Sequence, residues 1–249
     1  MYPEICKLGP FTIYSYGLML VLAFLVSSTL ACIQAKRQNI NPETIFNLSF
    51  IVFISGVIGA RLFYIIENID YYIKNLLEIF MLQHGGLSWF GGLLLGVFAG
   101  ILYLKREKIP VYKILDLVIP FVALGQAIGR IGCLLNGCCF GKESNFGIYF
   151  VLHQKILIPT QAYSSLLLIF IFVFLRFLQD KSHKDGEIFF LYLVLYSIKR
   201  FFIEFWRADN TVIFSGLTLF QVLSIIIFLL SLIKLFIIKK THKPCKNLD

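Results

Sequence analysis

The residues of this sequence that could do chemistry are charged groups set inside, or at the ends of, long apolar runs. Arg130 lies in Gly129-Arg130-Ile131-Gly132-Cys133-Leu134-Leu135-Asn136-Gly137-Cys138-Cys139-Phe140-Gly141, a stretch that leaves an apolar run through glycines, an arginine and an asparagine. A charge in such a run is costly unless it faces a partner or water. Glycines allow sharp turns and close approach of a ligand. Arg200, Glu204 and Arg207 stand at i, i+4 and i+7, on one face of a helix. Arg200 and Glu204 can therefore pair, either as a structural ion pair between helices or as the charged wall of a cavity. Arg207, near the end of its run, can also reach the membrane interface. Arg61 and Arg130 have no carboxylate close by in sequence. The planar guanidinium matches two phosphate oxygens with parallel hydrogen bonds. Any one of these arginines could be satisfied by backbone carbonyls, but three from three helices at one depth point to a lipid head-group site.

Fewer signals come from the remaining polar residues. His84, before Gly85-Gly86, is an acid–base candidate by its intrinsic titration range. Of the six cysteines, Cys133, Cys138 and Cys139 cluster in sequence. A thiol–disulfide enzyme would call for a C-x-x-C pair or a second pair elsewhere, and a zinc site for further ligands, with only His84 and His153 on that side. Small apolar filling is the default reading of such cysteines. No metal ligand set and no cofactor is expected.

These groups must be positioned by membrane helices. The chain has 249 residues, 58% hydrophobic and only 15% charged, with a mean hydropathy of +0.81. That is too apolar for an ordinary soluble domain, and several runs reach the roughly 20 residues needed to span a bilayer. The expectation is an all-α, polytopic protein with one membrane-embedded domain over residues 1–249. Seven spans are expected, at about 13–33, 44–66, 87–104, 114–135, 162–178, 187–206 and 217–238, with Pro120 a kink in the fourth. The first run lacks a basic leader and reads as a retained helix. The net charge of +9 is explained by lysines and arginines in alternate short loops, so no nucleic-acid partner is expected. Lys36 and Arg37, then Lys105, Arg106, Lys108 and Lys113, then Lys181 and Lys184, and finally the basic tail 239–249 mark the cytoplasmic side. The N-terminus is then outside and the C-terminus cytoplasmic. The loops at about 67–86 and 137–160 lie outside, and Tyr71 to Leu82 has the mixed pattern of an interfacial amphipathic helix. With this orientation Tyr16, Arg61, His84, Arg130, Arg200 and Glu204 collect towards the external leaflet.

With those residues in view, nearly the whole chain resembles the bacterial phosphatidylglycerol–prolipoprotein diacylglyceryl transferases. The matching pieces are Tyr16-Gly17-Leu18-Met19, Gly59-Ala60-Arg61-Leu62, Gly85-Gly86-Leu87-Ser88 with Gly91-Gly92, Gly129-Arg130-Ile131-Gly132 with Asn136-Gly137 and Gly141, Pro159-Thr160-Gln161-Ala162-Tyr163, and Arg200-Phe201-Phe202-Ile203-Glu204-Phe205-Trp206-Arg207. Each is weak alone; in this order and spacing the set is specific. The chain departs from the family pattern at Cys133, where asparagine is usual, at Cys138, where glutamate is usual, and at Phe90, where the family carries a histidine proposed to help catalysis. These departures mark either a divergent branch with the same activity or a paralogue with altered chemistry.

The resemblance implies transfer of a diacylglyceryl group from phosphatidylglycerol to the lipobox cysteine of a prolipoprotein signal peptide, in the bacterial cytoplasmic (inner) membrane, with membrane lipids as surroundings. The nucleophile belongs to the substrate, so the enzyme needs no catalytic serine or cysteine of its own. The expected catalytic residues are Arg130, Arg200, Glu204, Tyr16 and His84, with His84, Glu204 and Tyr16 as candidate bases. The expected substrate-binding residues are Arg130, Asn136, Gly141, Arg61 and Arg207. Two rival readings are an anionic-lipid transporter or binding protein, which would need a polar path to the cytoplasm, and a thiol oxidoreductase using Cys133, Cys138 and Cys139.

Overall fold

The computed structural model describes residues 3–8, 11–81, 85–208, 212–214 and 216–240. The fold is helical, with eight α-helices among the described residues: α1 (Ser15–Arg37), α2 (Pro42–Glu67), α3 (Ile69–Lys74), α4 (Trp89–Arg106), α5 (Val111–Asn136), α6 (Thr160–Gln179), α7 (Glu187–Glu204) and α8 (Leu219–Lys240). Six of them, α1, α2, α4, α5, α6 and α8, are long and apolar enough to cross a membrane. The sequence reading counts seven spans; the seventh would be α7, whose 18 residues include Glu187, Lys199, Arg200 and Glu204. These four charges lower its hydropathy, and they include the residues that form the site described below. Three short strand pairs add to the helices: β1 (Glu4–Leu8) with β2 (Phe11–Tyr14), and two antiparallel pairs, β3 (Glu143–Phe150) with β4 (Lys155–Leu157) and β5 (Val212–Phe214) with β6 (Leu217–Thr218).

The chain forms two compact units, one of residues 1–6, 13–23 and 112–249, the other of residues 7–12 and 24–111. In the second unit α2 and α4 are held together by glycines. A side chain at Gly59 would strike the carbonyl of Gly91 and Leu95, and one at Gly91 would strike the carbonyl of Gly59 and Phe63. Gly96 and Gly100 of α4 lie against Val52 of α2. Small residues let backbones approach closely, which is how helices gain packing where no hydrophobic effect separates lipid from protein. The stretch expected as an interfacial helix is α3 followed by a 3-10 turn, Leu76–Phe80. Its Ile73, Leu76 and Leu77 are exposed, as an interfacial apolar face requires.

In the first unit Ile119 and Ala123 of α5, Ile171 and Leu175 of α6, and Ile188 and Tyr192 of α7 form a buried core. One end of that bundle is fixed by polar contacts. The Asp116 carboxylate accepts the backbone N–H of Gly186 at 2.6 Å and of Phe189 at 2.8 Å, satisfying donors that a helix N-terminus leaves open. Gln179 Nε2 donates to the carbonyls of Asp116 at 2.8 Å and Leu117 at 2.9 Å. Ser165 Oγ donates to the Ala127 carbonyl at 2.9 Å. α7 packs against both α6 and α8, so its other end is presented at a set position.

Candidate active site

The far end of α7 is where the charges gather. Lys199, Arg200, Ile203 and Arg207 line a small cavity, together with Arg130 of α5, Cys139 of the following loop, and Thr160 and Ser164 of α6. Arg200 is held from several sides. Its Nη2 lies 3.1 Å from Glu204 Oε2, and its guanidinium carbon sits 4.3 Å from the centre of the Phe220 ring. Glu204 is buried, and its Oε1 accepts the hydroxyl of Thr218 at 2.9 Å. The i, i+4 spacing seen in the sequence is thus a formed ion pair, anchored to the first turn region of α8.

Lys199 is not singled out by the sequence, yet it is 5% exposed, and among the described residues its Nζ finds only the Ser164 hydroxyl, at 3.2 Å, and the Tyr196 ring, 4.3 Å away. Arg130 is half-buried, and its guanidinium forms no hydrogen bond and no ion pair among the described residues. Two cations without a carboxylate therefore face the cavity beside two more. Desolvating like charges together is unfavourable unless something negative joins them. The signal for Lys199 was present: it adjoins Arg200 in an apolar run and lies one turn from Ile203. The signal for its partner was the Ser164-Ser165 pair in an otherwise apolar span.

The loop after α5 is pinned on both sides. Gly141 N–H donates to the Ile158 carbonyl at 2.9 Å, and Lys142 N–H to the Trp206 carbonyl at 2.8 Å. Gly141 bridges Arg207 in antiparallel fashion. A Cβ on Gly141 would come within 2.7 Å of the Trp206 carbonyl oxygen and 2.8 Å of Ile158. Only glycine fits there, and it docks Arg207 onto the loop. At the start of α6, Thr160 Oγ1 donates to the Cys139 carbonyl at 2.7 Å, and Gln161 Nε2 to the Cys138 carbonyl at 2.5 Å. The hairpin of β3 and β4 packs against this loop with Phe150 fully buried and His153 tilted against Phe140, ring centres 4.2 Å apart. His153 Nε2 lies 3.0 Å from the Gly137 carbonyl oxygen.

Tyr16, in the first turn of α1, lies over Gly132: a Cβ there would meet the Tyr16 ring at 3.5 Å and Met19 at 2.9 Å. The Cys138 thiol donates to the Cys133 carbonyl, 3.7 Å away.

Tyr16, Arg130, Asn136, Gly141, Arg200, Glu204 and Arg207 all belong to the first unit. Arg61 belongs to the second, where its side chain is buried and spends itself on the chain: Nε donates to the Ile79 carbonyl at 3.1 Å, Nη1 to those of Gly85 at 2.6 Å and Gly86 at 3.1 Å, and Nη2 to those of Met81 at 3.3 Å and Glu78. The carbonyl-satisfying role that competed with phosphate binding is the one its geometry displays. His84 lies outside the described residues. Phe90, in the first turn of α4, is exposed.

Residues 3–237 match the family model described as prolipoprotein diacylglyceryl transferase. A protein of Clostridium tetani (strain Massachusetts / E88) is 36% identical over 219 residues, covering 84% of this chain and 86% of its own. One of Bacillus cereus (strain 03BB102) is 33% identical over 253 aligned positions, covering 97% and 93%. One of Clostridioides difficile (strain 630) is 34% identical over 211 residues, covering 85% of each. All three are named phosphatidylglycerol–prolipoprotein diacylglyceryl transferase.

Proposed function

This chain belongs to the prolipoprotein diacylglyceryl transferase family, and on that footing we propose that it moves the diacylglyceryl group of phosphatidylglycerol to the thiol of a prolipoprotein's lipobox cysteine. The carbon–oxygen bond between the diacylglyceryl carbon and the phosphate breaks, and a carbon–sulfur bond forms. The products are a thioether and glycerol phosphate, and the thiol proton passes to a base or to the departing phosphate. The attacking group comes from the substrate, so the protein's task is to hold the phosphate and stabilise its growing charge.

The observation that carries this reading is the Arg130 guanidinium, half-buried at a cavity shared with Lys199, Arg200 and Arg207 and bonded to no protein group among the described residues. Arg130 takes the phosphate, with Lys199 adding a point charge. Arg200, oriented by Glu204, completes the cradle or gates lipid entry. Both Glu204 oxygens are engaged, by Arg200 and by Thr218, which supports positioning rather than proton abstraction. Asn136 holds the loop or the glycerol head-group, and Tyr16, packed over Gly132, is the candidate base within the described residues. Gly141 acts by letting Arg207 dock.

The protein is a multi-pass component of the bacterial cytoplasmic membrane with α7 as its sixth of seven spans, its N-terminus outside, its basic C-terminus cytoplasmic and the cavity towards the external leaflet. The lysine and arginine bias of the loops supports that orientation. Complementation of a strain depleted of its own transferase, scored by lipidation of a lipobox peptide, tests the function. Rescue is expected, and failure of a well-inserted protein to rescue would refute it.

A further inference from the structure

Cys133, Cys138 and Cys139 converge: their Sγ atoms all lie within 4.8 Å of one another. Adjacent residues in a helix or strand point apart. Here Gly137 (φ 73°) and Cys139 (φ 60°) take left-handed conformations, and the loop turns so that two neighbouring thiols meet a third from the last turn of α5. The loop is held in that shape from outside by Thr160 and Gln161 on its carbonyls. Through Cys139 the cluster borders a cavity lined by Arg130, Lys199, Arg200 and Arg207, which favours negative charge. A disulfide would use two of the three sulfurs and strand the third. Three sulfurs around one point suit a metal ion. With metal–sulfur bonds of about 2.3 Å, sulfurs sharing an ion stand roughly 3.8–4.0 Å apart, inside the 4.8 Å that bounds these three. His153, the histidine nearest in sequence, has its Nε2 turned to the Gly137 carbonyl, and no fourth ligand joins the group among the described residues.

We propose that Cys133, Cys138 and Cys139 form a three-thiolate site for a thiophilic metal ion, copper(I) by its coordination number. Soft thiolates select copper(I), which three sulfurs satisfy, whereas zinc would have to complete four-coordination with a water. On binding, three S–H protons leave to solvent and three sulfur–copper bonds form, with no change of oxidation state. The complex is anionic and is stabilised by the surrounding cations. The site is inferred without reference to the transfer reaction, whose cavity it borders through Cys139.

The test titrates the reduced full chain, in detergent and without oxygen, with copper(I) held by a competing chelator, and in parallel with zinc. The expected result is one copper(I) per chain, three sulfur scatterers by X-ray absorption, and at least tenfold weaker binding in each of Cys133→Ser, Cys138→Ser and Cys139→Ser. Copper is also expected to shield these three cysteines, but not the exposed Cys6, from alkylation in the unmutated chain. That arm needs no variant to fold. Absence of stoichiometric copper, two-sulfur coordination, tighter zinc than copper(I), unchanged binding in the triple serine variant, or a disulfide within the cluster in the protein as isolated would each overturn the proposal.

Discussion

Glu204 Oε2 lies 3.1 Å from Arg200 Nη2, one helical turn away, and the carboxylate side chain is completely buried. Breaking a buried pair by neutralising one member costs about 3–5 kcal/mol, because the other charge is left uncompensated. Glu204→Gln is therefore expected to lower thermal stability clearly and to reduce transfer at least tenfold, measured by unfolding in detergent and by lipidation of a lipobox peptide. Thr218→Val removes one hydrogen bond and is expected to cost about 1 kcal/mol with a smaller loss of activity. A Glu204→Gln protein of normal stability would contradict the positioning role.

Lys199 separates stability from function. Its ammonium is buried with a serine hydroxyl as hydrogen-bond partner, so an apolar residue of similar shape relieves a desolvation cost. Lys199→Met is expected to keep or raise the unfolding temperature while transfer falls at least tenfold, with most of the loss in KM for phosphatidylglycerol. Lys199→Met that unfolds more readily and transfers normally would reverse both halves of the argument.

Arg61 is expected to behave in the opposite way. Five carbonyl oxygens share its fork, a pattern a lysine cannot reproduce. Arg61→Lys should lower the unfolding temperature, whereas kcat/KM per folded molecule should stay within about threefold of normal, given that its guanidinium is occupied. A stable Arg61→Lys protein with a selectively raised lipid KM would restore Arg61 to the binding site.

The two glycines around Arg130 also differ. Nothing lies within 4 Å of a Cβ at Gly129, whereas one at Gly132 would crowd Met19 at 2.9 Å. Gly129→Ala should fold as well as the parent or better, since alanine is favoured over glycine in a helix by about 1 kcal/mol. Gly132→Ala should cost about 1–3 kcal/mol through overpacking. Parallel unfolding curves check both, and equal destabilisation would contradict the packing described.

Much of this was legible in the sequence, and the reasons for the remainder are physical. Apolar runs gave the long helices to within a few residues, since length and hydropathy leave little choice in lipid. The Arg200–Glu204 pair followed from helical spacing. Lys199 escaped notice because its meaning depends on Ser164, which lies 35 residues away on another helix. Arg61 could not be told from Arg130 by type or depth; the difference lies in the carbonyls of residues 78–86 that fold back onto it. The convergence of three thiols depended on two left-handed residues, one of them a cysteine, for which the sequence offers no signal. The hairpin over residues 143–157 is short and mixed in pattern, and reads as a loop.

The central claim is that Arg130 holds the lipid phosphate, and it is tested most directly by transfer from phosphatidylglycerol to a lipobox peptide with purified Arg130→Ala. Because no protein group among the described residues bonds its guanidinium, the variant is expected to unfold at the parent's temperature while its rate falls roughly 10²–10³-fold, as when a group stabilising transition-state charge is removed. Transfer at the normal rate by a fully folded Arg130→Ala protein would contradict the account.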